Sequence, residues 1–147
     1  MNPEVIVSAA IDVIDSEGLE GLTMSRLAQV LGVRPMAVYT HFRDKDAILQ
    51  SVAVELYGRF QMPEMSDDPA ESLGRIARSY FRLLTENPAL LRIEPIGIEN
   101  PAEARLSEAM YECLLPLGLS VTDLVGLVAM LTRYVIGSAY LYPGRHT

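Results

Sequence analysis

The stretch that decides the fold runs from Leu22 to Leu49 and reads LTMSRLAQVLGVRPMAVYTHFRDKDAIL. Thr23 suits the N-cap of a helix, Gly32 suits the left-handed position after that helix, and Pro35 suits the first turn of the next one. Between Thr23 and Gly32 the apolar residues recur at helical spacing. The stretch therefore predicts two short helices joined by a tight turn, a helix-turn-helix.

Helical spacing of apolar residues continues over the rest of the chain, without alternating strand patterns or Asn-Gly and Asp-Gly hairpin signals. Asn2 and Pro3 predict the start of a first helix, which ends at Gly18. Asp44 is placed to cap the helix that follows the helix-turn-helix. We therefore predict an all-α fold in which residues 1–46 form a three-helix head.

Residues 47–147 predict a helical body, joined to the head by a connector helix whose apolar pattern reaches toward Pro63. Prolines and acids interrupt the helical spacing in residues 62–69, which predicts the main break in the chain there. Asn100 caps a later helix, and Ser120 caps a final one. That final helix is apolar nearly all round, and such a helix needs partners on several sides.

Composition limits the class of protein. A single cysteine, Cys113, excludes an internal disulfide framework and fits a reducing compartment. The N-terminus lacks the basic start and cleavage site of a signal peptide, so we expect a cytoplasmic protein. Only residues 124–142 are apolar enough to suggest a membrane span, and Arg133 in the middle of that stretch favours a buried or interface helix instead. We expect no membrane partner.

Charge is unevenly distributed along the chain. The net charge of −7 argues against a nonspecific nucleic-acid binder. Residues 1–22 carry five acids and no base, residues 23–45 carry four bases against one acid, and residues 46–147 carry eight arginines against thirteen acids. The one positive segment coincides with the helix-turn-helix.

Residues 22–49 resemble the TetR family of transcriptional repressors. The family pattern has Thr or Ser opening the second helix, a Leu-Ala or Ile-Ala pair, Leu-Gly-Val at the turn, then Tyr, a pair similar to His-Phe, and Lys before an apolar helix. The matching positions here are Thr23, Leu27-Ala28, Leu31-Gly32-Val33, Tyr39, His41-Phe42 and Lys45. Residues 105–141, above all TRYVIGSAY, are more weakly similar to the effector domain of the tetracycline-repressor branch.

The resemblance implies that the third helix, about Pro35 to His41, enters the major groove of a palindromic DNA operator. Four side chains are then expected to hold phosphates: Thr23, Tyr39, His41 and Lys45. Base contacts are expected from outward-facing residues of the second and third helices: Ser25, Arg26, Arg34, Pro35, Met36 and Thr40. Arg34 is the predicted guanine reader because a guanidinium matches two acceptors at once.

Some of these side chains have a structural alternative. The spacing of Phe42 from Val38 predicts that Phe42 belongs to the core. Tyr39 suits either the core or a phosphate contact, because its phenol can reach solvent. His41 is alternatively an exposed polar residue, and Lys45, the only lysine in the chain, is alternatively a solvated charge.

The resemblance also implies a homodimer whose helical body binds a small-molecule effector, which tilts the two heads away from their half-sites. The candidate lining residues form an aromatic and methionine stripe that is also typical of plain core: Tyr80, Leu84, Met110, Leu114, Met130 and Tyr134. No histidine lies between residues 42 and 145, which argues against a histidine-held magnesium–drug chelate. We therefore expect a small apolar or aromatic effector, with no metal and no cofactor.

Two further expectations concern the end of the chain and the class of function. Members of the family usually continue for further helices that help to form the dimer, so we expect either a shortened form or an interface built from the last helix alone. An alternative function is a small-molecule-binding or protein-interaction module that has lost DNA binding, which the acidic total favours. An enzyme is not predicted, because His41, His146 and Cys113 form no catalytic or metal-ligand pattern and there is no Gly-rich phosphate loop.

Overall fold

The computed structural model describes residues 1–93 and 101–142, and every regular element within those ranges is helical. The all-α prediction is therefore confirmed. The helices are α1 Pro3–Glu17, α2 Met24–Leu31, α3 Pro35–Tyr39, α4 Lys45–Tyr57, α5 Pro69–Glu86, α6 Pro88–Ile93, α7 Pro101–Leu114 and α8 Val121–Leu141, with a 3₁₀ turn at Leu115–Leu117. The predicted cap Asn100 and the histidine His146 lie outside the described residues.

Side-chain caps begin several of the helices where the sequence predicts them. The Asn2 Oδ1 atom accepts a hydrogen bond from the Val5 amide at 3.0 Å at the start of α1. The Ser120 Oγ atom accepts one from the Asp123 amide at 3.1 Å at the start of α8. These bonds satisfy amides that the helix itself leaves unpaired.

The connector helix α4 is shorter than its apolar pattern predicts. The helix ends at Tyr57, whereas the pattern continues toward Pro63. Gly58 follows the last helical residue, and glycine has among the lowest helix propensities. The apolar spacing beyond Gly58 is therefore not helical.

Residues 62–69 are tied to α5. The buried Ser72 Oγ atom donates a hydrogen bond to the Ser66 carbonyl at 3.0 Å and accepts one from the Ser66 amide at 2.8 Å. The Arg75 Nη1 atom donates to the Glu64 carbonyl at 2.8 Å. The prolines do interrupt the helix here, and the segment is nevertheless held by side chains of the helix that follows it.

Packing divides the chain into two compact units. The first unit is Met1–Leu56 together with α6, and the second is Tyr57–Asn87 together with α7 and α8. The predicted domain boundary after residue 46 lies at the start of α4, whereas the packing divides the chain near the end of that helix.

The first unit has a core drawn from all of its helices. Its fully buried large side chains include Ile6, Ile14, Leu22, Leu27, Ile48 and Leu56. Phe42 is only 7% exposed, so the prediction that it belongs to the core is confirmed. Burial of side chains of this size contributes about 1.5–3 kcal/mol each, which makes the small unit dependent on every one of them.

The second unit is a packing of α5, α7 and α8 around fully buried side chains such as Ile76, Tyr80, Leu84 and Met110. Helix α8 buries only one face, and its outward face exposes Leu127, Met130, Tyr134 and Leu141. Within the described residues, α8 is the one helix whose length and composition would suit a membrane span, a test that core helices of soluble proteins also pass.

Candidate nucleic-acid interface and ligand groove

The turn between α2 and α3 is fixed by backbone hydrogen bonds. Gly32 is left-handed, with φ 67° and ψ 30°. Its amide donates to the Gln29 carbonyl at 3.2 Å, and the Val33 amide donates to the Ala28 carbonyl at 2.9 Å. This is the Schellman arrangement, in which glycine avoids the strain that a Cβ atom would cause. The chain therefore leaves α2 in one defined direction and starts α3 at Pro35.

Helix α3 turns one face to the core and another to solvent. Val38 is fully buried and fixes the rotation of the helix. Met36 is 74% exposed and Tyr39 is 48% exposed. Arg34, the residue before the helix, is also exposed, and its guanidinium makes no hydrogen bond or ion pair with the rest of the described chain. Arg34 is therefore free to bind a group outside the protein.

Two threonines predicted to contact DNA already take part in helix geometry. The Thr23 Oγ1 atom accepts a hydrogen bond from the Arg26 amide at 3.0 Å, which leaves its hydroxyl hydrogen to donate to a phosphate oxygen. The Thr40 Oγ1 atom donates to the Met36 carbonyl at 2.9 Å, so its hydrogen is in use. Thr23 suits a phosphate contact, and Thr40 retains only acceptor capacity.

Arg26 is bound within the first unit. Its Nη2 atom lies 2.5 Å from Glu17 Oε1, its Nε atom donates to both oxygens of that carboxylate at 3.0 and 3.1 Å, and its Nη1 atom donates to Gln29 Oε1 at 3.0 Å. The hydrogen bond from Arg26 lowers the pKa of Glu17, and the same hydrogen bond raises the pKa of Arg26. A bidentate base contact by Arg26 would therefore compete with this ion pair and with the bond to Gln29.

Two other cations of the positive segment also have partners. The Lys45 Nζ atom donates to the Leu19 carbonyl at 2.7 Å, which ties the start of α4 to the link between α1 and α2. Arg43 forms an ion pair with Asp44, with 3.0 Å between Nε and Oδ2. Asp44 also caps α4, since its Oδ1 atom accepts from the Ala47 amide at 2.8 Å. In the sequence, all of these cations look equally available to bind DNA. In the structure, Arg26, Arg43 and Lys45 have internal partners, whereas Arg34 has none among the described residues.

The predicted DNA contacts all lie in the first unit, between the start of α2 and the start of α4. Two of them, Arg26 and Lys45, are partly buried. The others are exposed: Thr23, Ser25, Arg34, Pro35, Met36, Tyr39, Thr40 and His41. Their roles stay predictions, and their exposure leaves them available to a ligand.

Helix α6 joins the first unit through a contact that the sequence does not reveal. The Arg92 Nη1 atom donates a hydrogen bond to the Ile14 carbonyl, near the C-terminus of α1. A cation is favourable there because the helix dipole leaves negative partial charge at that end. Leu90 and Ile93 are buried beside it. The two partners are 78 residues apart in the chain, so no local pattern indicates the pair.

The second unit contains a groove of about 620 Å³ between α5 and α8. This volume falls within the range of small-molecule sites, about 300–1,000 Å³. Apolar and aromatic side chains dominate the lining, and within residues 1–93 and 101–142 its only charged members are two arginines of α5. The lining residues are Ala77, Arg78, Phe81, Arg82, Thr85, Leu131, Tyr134, Val135, Ser138 and Tyr142.

Only one of the predicted ligand-binding residues, Tyr134, lines this groove. Met130 lies on the outward face of α8 and is 62% exposed. The other four are buried: Tyr80, Leu84, Met110 and Leu114. The pattern that suggested a pocket is therefore largely the pattern of the core. Arg78 and Arg82, which are not among the predicted ligand-binding residues, line the groove.

Tyr80 is held in the core by a second tyrosine. The hydroxyl oxygens of Tyr57 and Tyr80 are 3.3 Å apart, and their stacked rings have centroids 6.4 Å apart. Burial raises the pKa of Tyr80, and the charge of Glu103 adds to that shift. Burial also raises the pKa of Glu103 itself. These groups form a small polar cluster beside the apolar core.

A second, more polar groove of about 460 Å³ lies at the C-terminal end of α5. The buried Asn87 orients one of its arginines, because Asn87 Oδ1 accepts a hydrogen bond from Arg59 Nη1 at 2.8 Å. Asn87 Nδ2 donates to the Leu83 carbonyl at 2.8 Å. Arg82 lines both this groove and the larger one. Among the described residues, no three His, Cys, Asp or Glu side chains come together as metal ligands.

Comparison with protein families matches both parts of the chain. Residues 6–52 match the model of bacterial regulatory proteins of the tetR family. Residues 62–144 match the model of the tetracyclin repressor-like C-terminal domain. The second match alone covers more than half of the chain.

Individual proteins are similar over nearly the whole chain. The HTH-type transcriptional repressor DrrR1 of Streptomyces coeruleorubidus is 32% identical over 143 residues, which cover 91% of this chain and 51% of that protein. The class A tetracycline repressor from transposon 1721 of Escherichia coli is 28% identical, covering 94% of this chain and 65% of that protein. The chain thus spans between half and two thirds of the length of these relatives.

A solved structure matches the fold as a whole. The TetR family protein ActR of Streptomyces coelicolor, in complex with actinorhodin, has a TM-score of 0.82 and 26% sequence identity. The match covers 99% of this chain and 69% of ActR. Apo ActR matches with a TM-score of 0.80.

Proposed function

The chain belongs to the tetR family of bacterial regulatory proteins, and from that premise we propose that it is a transcriptional repressor whose binding to DNA is controlled by a small molecule. It acts in the cytoplasm and has no catalytic role. DNA is bound by the first unit, and the effector is bound by the second. The relatives that are repressors, and the ligand complex of ActR, support this assignment.

The proposed DNA-binding role is supported mainly by the geometry of α2, the turn at Gly32, and α3. Gly32 and Pro35 fix the direction of α3, and Val38 fixes its rotation, so the exposed face of the helix is set by the fold. Arg34 stands at the start of that face without an internal partner. A rigid helix with a free arginine at its N-terminal end suits the major groove, where guanine offers two acceptors.

The groove between α5 and α8 is the proposed effector site. Its volume suits a small molecule, and its walls include the aromatic side chains Phe81, Tyr134 and Tyr142. An effector that binds there lowers the affinity for DNA by binding the DNA-competent form of the repressor less tightly than the released form.

The outward face of α8 is the proposed dimer interface. Met130 is 62% exposed and Leu141 is 76% exposed. A contiguous apolar face on a helix marks a surface that another molecule covers. A second copy of the chain is the proposed partner, because a two-fold symmetric dimer presents two copies of α3 to a palindromic site.

A module without DNA binding is the second candidate. The observation in its favour is that Arg26 and Arg43, half of the positive segment, are already paired with carboxylates of the same unit. Such a protein would keep the effector groove and the dimer face and would show no salt-dependent affinity for DNA.

Selection of bound sequences from random duplex DNA by the full chain at low salt tests the proposal. We expect an inverted repeat whose half-site centres are about 10 base pairs apart, or a multiple of that spacing. Recovery of a single half-site would contradict the dimer. Recovery of no preferred sequence would contradict DNA reading and favour the second candidate.

A further inference from the structure

We propose that the effector of the α5–α8 groove is an aromatic anion, whose acidic group binds Arg82 and Arg78 while its rings lie against Phe81, Tyr134 and Tyr142. The inference rests on the proposed function, in which this groove is the effector site, and it specifies the chemical class of the effector.

The electrostatics of the groove favour an anion. Among the described residues its lining contains two arginines and no carboxylate, although the chain has 19 acidic residues and a net charge of −7. Arg78 and Arg82 are four residues apart on one helix, where like charges destabilise one another. An anionic ligand placed between them removes that repulsion and receives charge-assisted hydrogen bonds.

Arg82 is the principal anion-binding group. Within the described chain its guanidinium makes no hydrogen bond and no ion pair. Arg82 also lines the smaller polar groove, so its side chain stands between two open spaces. Its donors are therefore available without breaking any bond in the protein.

Arg78 is held only weakly by other parts of the protein. Its Nη1 atom lies beside Gly74, 3.3 Å from the position that a Cβ atom of that residue would occupy. The Ser66 and Arg75 hydrogen bonds are the main causes of the lowered pKa of Glu71, and no hydrogen bond joins Arg78 to that carboxylate. Arg78 can therefore turn toward a ligand at little cost.

The rest of the lining selects an aromatic skeleton. Phe81 is half-buried, and Tyr134 and Tyr142 expose more than 70% of their surface along the rim. Planar rings pack favourably on such side chains. The hydroxyls of Tyr134, Tyr142 and Ser138 add hydrogen-bonding groups at the edge of an otherwise apolar surface. In contrast, the Thr85 hydroxyl donates to carbonyls of its own helix.

Two fluorescent probes that differ only by a sulfonate group test the proposal on the full chain. They are 1-anilinonaphthalene-8-sulfonate and N-phenyl-1-naphthylamine, which share one aromatic skeleton. We expect the sulfonate to bind the wild type about tenfold more tightly than the neutral probe. The double substitution Arg78→Gln with Arg82→Gln should remove that preference, weakening the sulfonate about tenfold and the neutral probe less than about twofold.

Two further variants locate the effect. Arg105→Gln removes an equal charge from an exposed position of α7 outside the groove, and it should leave both affinities within about twofold. Ser138→Trp should fill the groove and weaken both probes, with helix content checked by circular dichroism. The proposal is overturned if the double variant keeps the sulfonate preference, if Arg105→Gln removes it equally, or if Ser138→Trp leaves both probes bound.

Measurement of DNA binding by fluorescence anisotropy in the same samples separates this proposal from the proposed function. An arginine-dependent sulfonate preference without DNA binding would reject the repressor and keep the ligand class. DNA binding without that preference would keep the repressor and reject the ligand class.

Discussion

The two units differ in which of their charged and apolar side chains lack internal partners. In the first unit, several cations are bound internally: Arg26 to Glu17, Lys45 to the Leu19 carbonyl and Arg92 to the Ile14 carbonyl. In the second unit, Arg75 and Arg59 are bound in the same way, whereas Arg78 and Arg82 of the groove have no such partners among the described residues. The outward face of α8 also leaves large apolar side chains exposed.

The difference bears on where outside partners are proposed to bind. A small unit that holds α3 in place gains rigidity from internal bonds, while it leaves Arg34 without a partner among the described residues and one face of α3 exposed. The second unit leaves an apolar face and an arginine-lined groove, which suit a second subunit and a small ligand. Substitutions of buried, exposed, bound and free side chains test this contrast between the two units.

The largest effect is expected in the core of the first unit. Leu27→Ala removes a fully buried side chain of α2 and should lower the free energy of unfolding by about 2–5 kcal/mol, because it leaves a cavity among close-packed neighbours. Val30→Ala on the same helix removes a side chain that is 45% exposed and should cost less than about 0.5 kcal/mol. Urea unfolding followed by circular dichroism gives both values. Equal losses would show that α2 is not anchored as described.

The next effect concerns the outward face of α8. Met130→Asp places a charge on the proposed dimer interface and should raise the dissociation constant of the dimer about 100-fold, since the charge must lose its water when the face is covered. Sedimentation equilibrium over a range of concentrations measures this constant. The helix content of the monomer should not change, because Met130 is 62% exposed in the single chain.

Ala104→Asp is the matched control for that substitution. Residue 104 is exposed on α7, in the same unit but on another helix. The control should leave the dissociation constant within about threefold of the wild type. A dimer that survives Met130→Asp, or a wild type that stays monomeric at every concentration, would place the interface elsewhere.

The sequence predicted where α1, α2 and α3 begin and where α1 and α2 end, because those boundaries depend on local chemistry. A cap at Thr23, a left-handed Gly32 and a proline at the start of α3 each act within a few residues. The same reasoning failed for the end of α4, where an apolar pattern continued past Gly58 after the helix had ended. An apolar period shows which residues are buried, and it does not show that the backbone between them is helical.

The candidate sites were less predictable because they depend on tertiary neighbours. The arginines of the positive segment look alike in sequence, and only the fold brings Glu17 to Arg26 while it leaves Arg34 free. Likewise, an aromatic and methionine stripe indicates burial without distinguishing core from pocket wall, so Tyr80 was grouped with Tyr134. Charge and burial become informative about binding only once the partners inside the protein are known.

That contrast between the arginines gives a third prediction. Arg34→Ala should relax base preference at one position of each half-site and weaken binding to the selected operator about tenfold or more, because a bidentate contact to guanine is lost. Arg26→Ala should weaken binding by less than about threefold and leave the sequence preference unchanged, since Arg26 is bound to Glu17. Anisotropy titrations with the selected operator and single-base variants distinguish the two. A larger change of preference for Arg26→Ala would show that the ion pair opens on DNA.

The smallest effect is the pH dependence of the Arg26–Glu17 pair. Because Arg26 lowers the pKa of Glu17 in the folded protein, ionised Glu17 stabilises the fold above its ordinary pKa of 4.5, and that stabilisation is lost as the pH falls through the lower folded value. Glu17→Gln should therefore have a Tm below that of the wild type by at most a few degrees at pH 7, since the pair is solvent-exposed. The difference should shrink toward zero as the pH falls through the lowered pKa of Glu17, where the wild-type carboxylate also becomes neutral. Glu20→Gln, which alters an exposed carboxylate without an ion pair among the described residues, should show no such convergence. If the difference in Tm between the wild type and Glu17→Gln stays constant from pH 7 to pH 3, the glutamate acts by packing. The contrast between bound and free arginines would then lose its electrostatic basis.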